Sequence, residues 1–181
     1  SGDTVALVNA RRECKQGHPE ALIALLWPQL KVQGEEAALL GRSIRLDNFQ
    51  YDLICAVIGG EHGEVAVKGA ASAGKGFAIS IAVLLWYFIH PDGLVVMTSA
   101  SFDHVRKVIW AEVRQWFNAS ALDFPGKMLK EQIDGGPKRY VKLANPDSDE
   151  AFAGHHSSAV LFVFDEATAV SDERYNLAKT Q

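Results

Sequence analysis

The chain has 181 residues, of which 48% are hydrophobic and 22% charged, with a net charge of −4 and a pI near 5.8. That length supports one domain with a sizeable core, and the acidic balance excludes a nucleic-acid partner announced by bulk charge while leaving a local basic face open. No run approaches the ~18 apolar residues that a membrane span needs, and the N-terminus lacks the charged start and apolar stretch of a secretory leader.

Cys14 and Cys55 stand far apart without C-x-x-C spacing, which fits buried free thiols in a reduced, cytosolic setting. Residues 3–40 read as mixed-polarity helix. Pro19 suits a first helical turn, and Ala21, Leu22, Leu25 and Leu26 form an apolar stripe. Trp27-Pro28 ends that helix, because proline disfavours an α conformation in the residue before it. Glu35 to Leu40 is expected to form another short helical turn. Residues 1–46 are thus read as a helical lead-in packed on the core, and residues 47–181 as the core itself.

A helix is expected over 47–58, capped by Asp47 or Asn48, with Phe49, Leu53, Ala56 and Val57 on one face and Gly59-Gly60 as its stop. Gln50, near its start, is either a nucleotide-base contact or a solvated helix residue. Next comes EVAVKGAASAGKG, Glu64 to Gly76. Val65, Ala66 and Val67 read as a strand, and Gly69, Ala70, Ala71, Ser72, Ala73, Gly74 and Lys75 as a loop of G-x-x-x-x-G-K spacing. Small residues let successive backbone N–H groups converge on an anion. The helix that follows adds its unpaired first-turn donors and the positive end of its dipole. Lys75 brings a full positive charge for the β/γ-phosphates. The eighth position of such a P-loop is normally a Ser or Thr whose hydroxyl ligates Mg²⁺; here it is Gly76. The phosphate-contacting stretch is taken as Gly69 through Phe77.

Phe77 to His90 reads as the helix behind the loop, Pro91-Asp92-Gly93 as a turn, and Leu94 to Thr98 as a strand buried on both faces. Val105, Val108, Ile109, Val113, Trp116 and Phe117 recur at helical spacing across Phe102 to Asn118. Met128 to Ile133 and Arg139 to Leu143 are expected as short strands in an irregular region. Ala159 to Phe164 is an apolar strand that ends directly in Asp165-Glu166. The alternation predicts an α/β fold of P-loop NTPase type, a mostly parallel central sheet flanked by helices.

A buried strand ending in Asp-Glu delivers carboxylates to the sheet edge where open α/β folds bind ligands. Asp165 is placed to hold Mg²⁺, directly or through water, and Glu166 to orient or deprotonate an attacking water. The alternative is an acidic helix start. The phosphate loop upstream favours the hydrolytic reading.

The chain resembles the ATPase domain of phage terminase large subunits, the motors that package double-stranded DNA into procapsids. KGAASAGKG, PDGLVVMTSASFDHVRKVIWAEVRQWF and AFAGHHSSAVLFVFDEATAVSDERY carry the resemblance in order, across roughly residues 47–176. It implies ATP and Mg²⁺, with Gln50 on the adenine, Gly69 to Lys75 around the phosphates, Lys75 and Glu166 catalytic, and Asp165 on the metal. His155 and His156 match one histidine of the family's lead-in; as adjacent loop residues they point apart, which speaks against a metal pair. The resemblance further implies a portal protein and a small terminase subunit as partners, a homo-oligomeric ring, no membrane, and the host cytoplasm. Arg106, Arg114 and Arg139 are candidates for an arginine acting on a neighbouring subunit's site.

Gly76 departs from the family's pattern, and Gln181 falls before its coupling motif and nuclease domain. The expectation is a truncated core that binds nucleotide better than it hydrolyses it. Other readings are a helicase- or recombinase-type P-loop ATPase, and a nucleotide-binding assembly module with weak hydrolysis. Lys127 with Lys130, and Lys138 with Arg139, read either as a local DNA-facing patch or as solvated surface.

Overall fold

The computed structural model describes residues 2–31, 44–60, 64–67, 74–99, 101–145, 157–166 and 176. Two helices open it, α1 (Gly2–Lys15) and α2 (Glu20–Leu26). Pro19 caps α2 and Trp27 closes it, as the Trp-Pro pair requires. Ala10, Cys14, Leu22, Ile23, Leu26 and Trp27 join one buried cluster with the later helices and strands. Trp27 is fully buried, and its Nε1 donates to the Trp116 carbonyl at 2.8 Å, which satisfies the indole's only polar atom. A two-residue parallel pairing joins β1 (Leu30–Lys31) to β2 (Ile44–Arg45).

Helix α3 (Asn48–Ile58) starts at Asp47 with a complete capping box. The Gln50 backbone N–H donates to Asp47 Oδ1 at 2.8 Å, and Asp47 N donates back to Gln50 Oε1 at 3.1 Å. Its fully buried residues are Leu53, Ile54 and Ile58, whereas Phe49, Ala56 and Val57 are half-buried. The buried stripe is therefore rotated from the expected one. Helix α4 (Lys75–Ile89) follows, and its residues from Ser80 to Ile89 are all buried. It is apolar all round because α1, α3, the sheet and a later helix cover it on different sides.

Strand β3 (Gly93–Thr98) is buried at every position, in line with its unbroken apolar sequence. The segment Phe102 to Asn118 forms α5 (Phe102–His104), a π-helical turn (Val105–Ile109) and α6 (Trp110–Asn118). Strands β4 (Lys127–Met128), β5 (Gln132–Asp134), β6 (Tyr140–Leu143) and β7 (Ala159–Phe164) complete a five-stranded sheet of order β4-β5-β6-β3-β7. β3 runs parallel to β6 on one side and to β7 on the other, while β4-β5 and β5-β6 are antiparallel. The fold is α/β, with a mixed sheet whose centre is parallel and whose helices flank it.

Three strand expectations need correction. Glu64 to Val67 is irregular and exposed rather than a strand, with Val65 at 37% and Val67 at 39% exposure. A strand exists only through a ladder partner, and the described sheets do not include these residues. Met128 to Ile133 is not one strand but the arms of a hairpin, closed where Leu129 N donates to Gln132 O at 2.7 Å. Strand β7 has the predicted limits but is half-buried throughout, because it lies at the end of the described sheet order. The expected helix at Glu35 to Leu40 lies outside the described residues. Among the described residues, no helix is long and apolar enough to cross a membrane.

Candidate functional site

Topology alone brings several chemical groups to one edge. Helix α4 has 15 residues and so spans ~22 Å. The chain then reverses through His90 to Asp92 into β3, whose 6 residues span ~20 Å. The start of α4 therefore returns to the level of the carboxyl end of β3. The parallel strand β7 ends there too, in register, with Thr98 opposite Phe164. Asp165 N adds one more rung, donating to Thr98 O at 2.9 Å. Lys75, Ser99, Asp165 and Glu166 are consequently placed along one rim.

The start of α4 is built from backbone. Gly74 occupies the N-cap in the left-handed region, at φ +69°, and gives the helix no side-chain cap. A Cβ at this position would strike the Gln50 side-chain amide, so only glycine fits without a shift. Gln50 is therefore neither a free surface residue nor distant from the loop: its capping-box carbonyl faces Asp47 while its amide nitrogen sits against Gly74. An uncapped N-terminus with a left-handed glycine suits an anion that takes backbone N–H groups. Lys75 is half-buried at the first position of α4. Phe77 commits its ring to the core, 5.2 Å from that of Trp116, so its only contribution toward a ligand is its backbone N–H. A Cβ on Gly76 would meet nothing within 4 Å, so space does not forbid the missing hydroxyl. Residues Gly69 to Ala73, with Lys68, lie outside the described residues, as do His155 and His156.

The acidic pair is contacted by a residue that no sequence motif marks. His104 Nε2 lies 3.2 Å from Asp165 Oδ2 and 4.0 Å from Glu166 Oε1. A carboxylate oxygen accepts, so Nε2 is the donor. The imidazole arrives there because Ser101 caps α5, its Oγ accepting the His104 backbone N–H at 3.2 Å. Buried Val105, Ile109 and Trp110 then anchor the π-helical turn behind it, a feature that often marks functional sites. Glu166 itself has φ +54° and is the one non-glycine residue with positive φ among those described. That conformation costs ~1–2 kcal/mol, and it ends the extended backbone of the strand. Ser99 is fully buried, and its Oγ has no hydrogen-bond partner among the described residues.

The three candidate arginines are all engaged within the chain. Arg106 pairs with Asp103 at 2.6 Å and with Glu131 at 3.8 Å. Arg114 donates to the carbonyls of Leu129 and Lys130. Arg139 donates to those of Tyr87 and Phe88 and lies over the Tyr87 ring at 4.9 Å, with burial lowering its pKa. Lys127, Lys130 and Lys138 are exposed. Among the described residues, no three His, Cys, Asp or Glu side chains form a metal-ligand group. A single presented carboxylate is still compatible with Mg²⁺, which keeps several waters and takes further oxygens from phosphates.

Comparison of the chain with protein-family models, curated proteins and solved structures returns no match.

Proposed function

We propose that the chain is an ATP-binding and ATP-hydrolysing P-loop core of terminase large-subunit type. In that reading it couples hydrolysis to movement of double-stranded DNA into a procapsid. One observation carries it: the glycine-started N-terminus of α4, with Lys75, and the Asp165-Glu166 strand end lie on the same rim of a parallel sheet centre. Backbone N–H groups at the start of α4 would hold phosphate oxygens, with Lys75 neutralising their charge. Gln50, beside Gly74, would border the nucleotide. Asp165 would hold Mg²⁺, which when bound supplies charge neutralisation on the phosphates. Glu166 would accept a proton from the attacking water. Portal protein, small terminase subunit, ring assembly and the host cytoplasm belong to the same proposal through the sequence resemblance.

A second reading, a nucleotide-binding assembly module with weak hydrolysis, is favoured by Gly76 alone. Titration of a fluorescent ATP analogue against wild type and Lys75→Ala tests both. Binding that Lys75→Ala weakens at least tenfold supports the phosphate site. Equal, weak binding by both proteins refutes it. Gly76→Ser then separates the readings: raised Mg²⁺-dependent phosphate release marks a hydrolase lacking one metal ligand, and unchanged release favours the module.

A further inference from the structure

We propose that His104 is a positioning residue for the acidic pair: it holds Asp165 by Oδ2, leaving Oδ1 as the oxygen presented to a cation. The inference rests on the hydrolase reading and assigns that site a component beyond its two motifs.

Four observations converge on it. His104 Nε2 is 3.2 Å from Asp165 Oδ2 and 4.0 Å from Glu166 Oε1, so one imidazole lies between the two carboxylates. Asp165 is fixed from its backbone by the rung to Thr98 O at 2.9 Å, so the imidazole contact completes the definition of its side chain. His104 is fixed from its own side by the Ser101 cap and by the buried Val105, Ile109 and Trp110. Trp110 Nε1 in turn donates to Lys130 O at 2.8 Å, tying this helix to the hairpin next to it. Finally, Glu166 adopts its left-handed backbone directly after the held Asp165.

The chemistry follows from counting acceptor sites. An unconstrained carboxylate can offer both oxygens to a cation. A carboxylate with one oxygen engaged offers one, in a fixed direction, which suits an ion that keeps most of its water and adds phosphate oxygens. Outer-shell partners of this kind typically change metal affinity or activity by 10–100-fold on removal. The His104 side chain is 36% exposed, so a purely structural ion pair there would contribute little to folding. Loss of function without loss of stability is thus the distinguishing signature.

The test uses Mn²⁺ as the probe, read by EPR with and without ATP, on the whole chain and on His104→Ala, His104→Gln and Asp165→Asn. Gln retains an N–H donor at about the reach of Nε2. The proposal expects His104→Ala to weaken Mn²⁺ binding ~10–100-fold. His104→Gln should recover most of that loss, and circular-dichroism melting should stay unchanged in both. If Asp165→Asn abolishes Mn²⁺ binding and His104→Ala leaves it at the wild-type level, the positioning role is refuted and the hydrolase reading survives. Equal loss in His104→Ala and His104→Gln also refutes the donor role. If Asp165→Asn binds Mn²⁺ as wild type does, the hydrolase reading fails and the proposal falls with it.

Discussion

Replacing Gly74 by alanine tests the junction between α3 and α4, and its cost can be worked from two contributions. Gly74 sits at φ +69°, where an L-residue is disfavoured by ~1–2 kcal/mol. The new Cβ would also occupy the place of the Gln50 amide. That amide ends a flexible side chain and can swing away, but doing so breaks the Gln50 Oε1 bond to Asp47 N, worth ~0.5–1.5 kcal/mol. Gly74→Ala should therefore cost ~1.5–3.5 kcal/mol in urea unfolding. Gln50→Ala alone removes only the capping bond and should cost ~0.5–1.5 kcal/mol. In the double variant the bond is already absent and the clash relieved, so the two costs should fall short of additivity by ~1 kcal/mol. A Gly74→Ala cost below ~0.5 kcal/mol, or strict additivity of the pair, would refute the proposed contact.

Three further outcomes follow from buried groups. Desolvation lowers the pKa of His90 from 6.5, and its Nδ1 lies 2.8 Å from the Trp86 carbonyl. As pH falls through 6.5, the unfolded chain takes up a proton that the folded chain resists. Stability should drop until the folded-state pKa is passed, and His90→Asn should flatten that part of the pH–stability curve; a wild-type slope in the variant would exclude His90 as its source. Burial pushes the Cys14 thiol up to about 12, so a thiol reagent at pH 8 should label the half-buried Cys55 first and reach Cys14 only on unfolding. Peptide mapping reads the order, and fast labelling of Cys14 would contradict its burial. Ser99→Ala removes a buried hydroxyl without a partner among the described residues, so it should leave melting unchanged or raise it. A fall in melting temperature would show that Ser99 Oγ has a structural partner.

Much of the scaffold was legible in the sequence, for specific reasons. Leu94 to Thr98 and Ala159 to Phe164 are unbroken apolar β-formers, and both are strands. Asp47 or Asn48 reads as a cap in the sequence, and α3 starts at Asp47; the part Gln50 plays in that cap shows only in the structure. Other features were hidden because they depend on partners distant in sequence. Val65 to Val67 has strand composition but joins no sheet among the described residues. Across Phe102 to Asn118, simple periodicity put Val108 inward and missed Trp110. The structure does the reverse, with Val108 at 48% exposure and Trp110 at 2%. The π-helical turn adds a residue to one turn and shifts the phase of the buried stripe. His104 lies 61 positions from Asp165, and no local spacing relates a lone histidine to so distant a carboxylate. At the rim itself, Lys75, Asp165 and Glu166 stand out in the sequence by motif, whereas the contact of His104 with Asp165 is visible only in three dimensions.

The central claim is that the start of α4 and the end of β7 serve one nucleotide in different capacities. Parallel measurement of ATP binding and single-turnover phosphate release in Lys75→Ala and Glu166→Gln tests it most directly. The account predicts that Lys75→Ala loses binding, whereas Glu166→Gln binds ATP within about twofold of wild type and loses ~100-fold or more in phosphate release. Wild-type phosphate release by Glu166→Gln, or wild-type ATP affinity in Lys75→Ala, would contradict it.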